Sequence, residues 1–89
     1  MSGDAPRVLV VEDDRDFAES LVIALGTRNC QVEIAYTGED AVRMFHDGSF
    51  DIAFMDIKLP GKNGVQSLTE ILEFAPQARI VMMTGFSEP

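Results

Sequence analysis

Four acidic side chains and one hydroxyl stand where apolar runs of this chain give way to polar turns. Glu12, Asp13 and Asp14 follow RVLVV, Asp56 follows IAFM, and Thr84 follows IVMM. Carboxylates gathered at one place repel and raise each other's pKa, and leaving them desolvated without partners is costly. A bound cation resolves that conflict. An all-oxygen carboxylate set suits Mg²⁺ or Mn²⁺, and Mg²⁺ keeps several waters while taking one or two protein carboxylates. The expected arrangement has Asp13 and Asp56 as direct ligands, Glu12 acting through water, and the backbone carbonyl of Lys58 completing the protein's share. With a cation beside it, the Asp56 carboxylate can attack phosphorus and form an acyl phosphate. Thr84 would then offer its hydroxyl to one phosphoryl oxygen, and the backbone N–H groups of Lys58 and Gly85 would hold others.

Such a site exists only if the strands that end in these residues lie side by side. RVLVVE (7–12) is a continuous β-branched run ending in acid, the pattern of a strand covered on both faces, and FDIAFMD (50–56) is a further strand that also ends in acid. QVEIAY (31–36) and ARIVMMT (78–84) supply two more strands. Between them the period changes to three and four residues. FAESLVIAL (17–25) is predicted as a helix with Phe17, Leu21, Ala24 and Leu25 inward, capped by Asp14 or Asp16 and ended by a left-handed Asn29. The second helix opens on Thr37, carries Glu39 and Asp40 in its first turn, turns Ala41, Val42, Met44 and Phe45 inward, and is closed by Gly48. VQSLTEILEFA (65–75) places Val65, Leu68, Ile71 and Leu72 inward and stops at Pro76. The order βαβαβαβ implies a parallel sheet with helices on both faces, and in such sheets ligands sit beyond the carboxyl ends of the strands.

Composition excludes other classes. The chain has 89 residues, suits one small domain, and carries 46% apolar and 25% charged residues. Residues 1–6 read as a flexible tail, and 7–89 as the domain. A net charge of −8 opposes nucleic acid and anionic membranes. No apolar run approaches the roughly 18 residues of a membrane span, and the N-terminus lacks a secretory pattern. Cys30 is the single cysteine, which fits a reducing compartment and reads as a core or edge residue. His46 reads as a charge partner for the end of its helix, and the five methionines as core filling. A metal-dependent phosphatase would need a second acid to protonate its leaving group, and Lys58 stands two residues after Asp56 instead.

VLVVEDD, FMDIKLPGKNG and IVMMTG, in this order and at these separations, resemble the receiver domain of two-component response regulators over Arg7 to Pro89. The resemblance implies a flavodoxin-like three-layer α/β fold with parallel strand order 2-1-3-4-5. It implies a role in bacterial cytoplasmic signalling: a phosphoryl group passes to Asp56 from a histidine kinase or phosphotransfer protein. Glu12 and Asp13 match the family's acidic pair, Asp56 its phosphoacceptor, Thr84 its switch hydroxyl, and Pro60 and Gly64 the turn after the acceptor. The expectation is a regulatory domain, not an enzyme beyond its own phosphorylation and dephosphorylation. The family's fifth strand and last two helices, with their phosphoryl-pairing lysine and aromatic switch residue, have no counterpart here. The sheet is therefore expected in the order 2-1-3-4, as an incomplete receiver domain. The fourth strand is then an open edge beside an uncovered sheet face, and homodimerisation or exchange of elements is expected to cover both. The alternative to a phosphoacceptor is a phosphorylation-independent interaction module.

Overall fold

The computed structural model describes residues 5–26, 28–48 and 50–83. Four strands, β1 (Arg7–Val11), β2 (Gln31–Ala35), β3 (Ile52–Asp56) and β4 (Ile80–Met83), alternate with three helices, α1 (Arg15–Gly26), α2 (Gly38–Asp47) and α3 (Gly64–Phe74). The strands form one parallel sheet in the order β2-β1-β3-β4. The flavodoxin-like α/β architecture and the order 2-1-3-4 stand as the sequence implied.

The two faces of the sheet carry separate cores. On one, Val8 and Val10 pack with Ala18, Leu21 and Leu25 of α1, and with Val32, Ile34, Ile52 and Phe54. On the other, Leu9, Val11, Ala53 and Met55 meet Ala41, Val42 and Phe45 of α2 and Ile71 of α3. Among the described strands β1 is the one buried along almost its whole length, because it is central and has helices above and below it. Leu9, Val10 and Val11 are fully buried. Each such aliphatic side chain withdrawn from water contributes about 1.5–3 kcal/mol.

Local rules set the helix boundaries. Asp14 caps α1 by accepting the Phe17 N–H at 3.1 Å. Thr37 caps α2 by accepting the Asp40 N–H at 3.0 Å. Asn63 opens α3 with a reciprocal pair: its side chain accepts the Gln66 N–H at 2.8 Å, and the Gln66 side chain accepts the Asn63 N–H at 3.0 Å. The Asn-x-x-Gln spacing is a capping box, and two otherwise orphaned donors are satisfied by it.

Three expectations about the helices need correction. α1 runs on to Gly26, and Asn29 takes its positive φ of 62° in the turn that leads to β2. Ala18 fills the sheet contact expected of that helix, while Ala24 is exposed. Gly48 closes α2 as expected, its N–H donating to the Met44 carbonyl from an extended conformation with φ −167°. In α3 the inward face is Gly64, Ser67 and Ile71; Val65 is 54% exposed and Leu72 37%. Small residues take the inner positions because α3 approaches α2 and the end of β3 closely. A Cβ on Gly64 would lie 2.2 Å from the Asp56 carbonyl oxygen, and one on Gly38 2.2 Å from Ser67 Oγ.

Candidate phosphoacceptor and metal site

Register brings the acids together. Val11 lies opposite Met55 in the ladder of β1 and β3, so Glu12 and Asp56, each one residue on, leave the sheet side by side. Both strands stay held at that point. The Glu12 N–H donates to the Ala35 carbonyl at 3.0 Å, and the Ile57 N–H to the Met83 carbonyl at 3.1 Å. Carboxylate oxygens of Glu12, Asp13 and Asp56 all fall within 4.8 Å of one another. Glu12 is buried, Asp56 half-buried and Asp13 exposed, so the cluster opens to solvent from its deepest member outward.

Burial pushes the Glu12 carboxyl up from about 4.5 to about 7. The Asp14 N–H, donating to Glu12 Oε2 at 3.0 Å, works against this by favouring the charged form. The negative charge of Asp56 adds to the rise, as do hydrogen bonds shared with Asp56 and Asp13. Raised toward neutrality, the Glu12 carboxyl holds its proton more readily than an ordinary carboxyl, which lessens the repulsion a third carboxylate would add. A hard divalent cation would relieve it in the same place, so the donor set fits Mg²⁺: three carboxylates, all oxygen, within reach of one ion.

The turn after Asp56 is built to bring main-chain atoms back to the site. The Lys58 N–H donates to Asp56 Oδ1 at 3.0 Å, so the group expected to hold a phosphoryl oxygen here holds the Asp56 carboxylate itself. Leu59 turns into the core and Pro60 stays exposed. Gly61 sits at φ 69°, a left-handed conformation that glycine adopts without cost. The Gly64 N–H closes the turn on the Ile57 carbonyl at 2.9 Å. Thr84 and Gly85 lie outside the described residues.

Sequence reasoning placed Glu12, Asp13 and Asp56 together, and the structure juxtaposes their carboxylates; of Lys58 it brings the backbone N–H onto Asp56. Sequence reasoning missed the capping box of Asn63, which its spacing with Gln66 signals. It also missed Glu39, whose carboxylate accepts the Lys62 N–H at 3.2 Å. His46 stacks on Phe74, ring centroids 3.6 Å apart, in addition to standing in the last turn of α2. Cys30 is half-buried beside the α1 core. No helix among the described residues is long and apolar enough to cross a membrane.

Residues 8–89 match the family model of the response regulator receiver domain. Among curated proteins, the chain is 30% identical over 82 residues to the transcriptional regulatory protein DltR of Streptococcus agalactiae, covering 92% of this chain but 37% of that protein. Among solved structures, it is similar to the response regulator TrrA of Thermotoga maritima, determined in complex with Mg(2+)-BeF. That likeness has a TM-score of 0.86 and 32% identity, and covers 92% of this chain and 71% of the other. A CheY-like receiver domain protein of Methanospirillum hungatei gives a TM-score of 0.88 at 30% identity, covering 94% of this chain and 67% of that one.

Proposed function

The chain belongs to the response regulator receiver domain family, and from that premise we propose that Asp56 accepts a phosphoryl group, with Mg²⁺ held by the acid cluster, from a histidine kinase or phosphotransfer protein in the cytoplasm. The observation that carries the reading is the convergence of Glu12, Asp13 and Asp56 at the carboxyl ends of β1 and β3. The similar protein determined with Mg(2+)-BeF supports the choice of cation.

Asp13 and Asp56 would hold Mg²⁺ directly, Glu12 would reach it through water, and the Lys58 carbonyl would add a neutral ligand. The ion supplies neutralisation of phosphoryl oxygens, which is most of what phosphoryl transfer asks of a protein. The remaining work falls to the chain. β3 aims Asp56 out of the sheet edge, and the Asp56 oxygen bonds to phosphorus as the bond from phosphorus to the donor's nitrogen breaks. The Lys58 N–H, already on Asp56 Oδ1, stands where it can move to a phosphoryl oxygen once that oxygen is esterified. The Thr84 hydroxyl and the Gly85 N–H are proposed for the other phosphoryl oxygens, on sequence position alone. Pro60 and Gly64 frame the turn.

Receiver domains are regulatory switches, and the domain is read here as spanning residues 7–89, with its phosphorylation and dephosphorylation as its only chemistry. A second copy of the chain is the proposed cover for β4, whose Val81, opposite Phe54, is 43% exposed on the sheet face. What the longer relatives do through their other segments stays with them, because the chain spans 37% of the DltR length.

The test is incubation with Mg²⁺ and a small phosphodonor such as acetyl phosphate, read by intact mass. One phosphoryl group is expected to be gained and to be absent in Asp56→Asn and in Mg²⁺-free buffer. Uptake that persists in Asp56→Asn overturns the assignment. No uptake by the folded protein leaves a phosphorylation-independent interaction module.

A further inference from the structure

The Lys58 N–H and carbonyl are main-chain atoms, so only the path of the β3–α3 loop can aim them. The inner half of that loop is fixed by the buried Leu59 and by the bond from the Gly64 N–H to the Ile57 carbonyl. Its outer half, Pro60 to Lys62, lies at the surface and has two side-chain holds. Lys62 pairs with Glu70 of α3 through its ammonium. Its backbone N–H donates to Glu39 Oε2. Glu39 stands in the first turn of α2, where an acid would ordinarily serve its own helix terminus. There Thr37 already takes the Asp40 N–H, and Glu39 reaches across to the loop instead.

The glycines on either side make this approach possible. A Cβ on Gly61 would lie 3.0 Å and 3.4 Å from the two Glu39 carboxylate oxygens. A Cβ on Gly38 would lie 2.3 Å from the Lys62 carbonyl oxygen. The first turn of α2 and the outer loop are therefore fitted to each other around the Glu39 carboxylate, with little room for a side chain at Gly38 or Gly61.

Resting on the phosphoacceptor reading of Asp56, we propose that Glu39 is a positioning residue that holds the β3–α3 loop from α2 and so keeps the Lys58 main-chain groups aimed at the acid pocket. It touches neither the cation nor the phosphoryl group. Its contribution is to narrow the set of loop conformations, so that less ordering remains to be done when the ion and the phosphoryl group arrive.

Three measurements on the full chain test this: amide hydrogen exchange, Mg²⁺ affinity by calorimetry, and the rate of phosphorylation by acetyl phosphate. Wild type is compared with Glu39→Ala and Glu39→Gln. In Glu39→Ala the Lys62 amide is expected to exchange about tenfold faster, the effect of losing one charge-assisted hydrogen bond. Amides of β1 and β3 stay as protected as before, and Mg²⁺ affinity and phosphorylation rate fall several-fold. Glu39→Gln keeps an acceptor oxygen of the same reach without the charge and is expected to fall between wild type and Glu39→Ala, nearer wild type, on all three. If Glu39 acted only through its charge, Gln would be as impaired as Ala, and positioning is overturned. Unchanged Lys62 exchange in Glu39→Ala overturns it too. So does faster exchange with Mg²⁺ affinity and rate intact. A wild type that takes up neither Mg²⁺ nor phosphoryl group brings down the functional reading, and the positioning role with it; a wild type that does both while Glu39→Ala matches it brings down the positioning role alone.

Discussion

Glu12 is buried between the ends of β1 and β3 while its chain neighbours Asp13 and Asp14 are exposed, so the cost of crowding carboxylates falls on it first. Its carboxyl, raised to about 7, gives a pH dependence with a definite sign. Between about 4.5 and 7 the folded chain holds a proton on Glu12 that the unfolded chain has released. The stability this lends is fully present below about 4.5 and is lost as pH rises through about 7. Urea unfolding of metal-free protein at a series of pH values should show that decline, and Glu12→Gln should flatten it. Saturating Mg²⁺ should reduce it as well, since a cation favours the ionised form. A Glu12→Gln curve that overlays wild type would place the repulsion elsewhere. At this scale the acids were legible because a parallel sheet delivers the ends of neighbouring strands to one edge, so three strand-end residues could be paired before any contact was known. Glu39 was not legible. Its partner is a main-chain N–H 23 positions along the chain, reached only because the loop folds back over α2.

Among the elements, α3 shows what periodicity leaves out. Val65, Leu68, Ile71 and Leu72 fall at helical spacing, yet the helix turns Gly64, Ser67 and Ile71 inward. Pattern reading ranks positions by hydrophobicity, whereas close approach selects for small size. Ser67 is fully buried without cost because its hydroxyl donates to the Asn63 carbonyl at 2.8 Å. Gly64→Ala should therefore destabilise the fold by about 3 kcal/mol, its methyl group meeting backbone at the Asp56 carbonyl oxygen and Ile57 Cα. Gly26→Ala, at the end of α1 with nothing within 4 Å of the added carbon, should stabilise by about 0.5–1 kcal/mol. Denaturant midpoints of the two variants, moving in opposite directions, check both. Asn63→Ala removes one half of the capping box and should cost about 1 kcal/mol, read the same way.

At the scale of the molecule, the helices among the described residues are unequally shared. α2 and α3 cover one face of the sheet, and α1 covers β1 and β2 on the other. Val81 of β4, opposite Phe54 of β3, is exposed among the described residues. Among the described residues β4 pairs on one side only, and a strand with neither charge nor proline along IVMM can pair with another on its other side. Sedimentation at rising concentration should show self-association, and Val81→Lys should weaken it; a monomer at every concentration would argue against β4 as a contact. The order 2-1-3-4 was legible because alternating strands and helices, together with the family's motifs, leave few arrangements. The occupant of the outer edge was not, since an apolar edge strand reads alike whether water or another strand lies beside it.

All of this turns on the three carboxylates at the ends of β1 and β3 being held together for a cation. Calorimetric titration of Mg²⁺ into the folded chain tests it most directly. One ion per chain is expected, bound more tightly at pH 8 than at pH 6 and lost in Asp13→Asn. A sample that circular dichroism shows to be folded and that takes up no Mg²⁺ at either pH would contradict it.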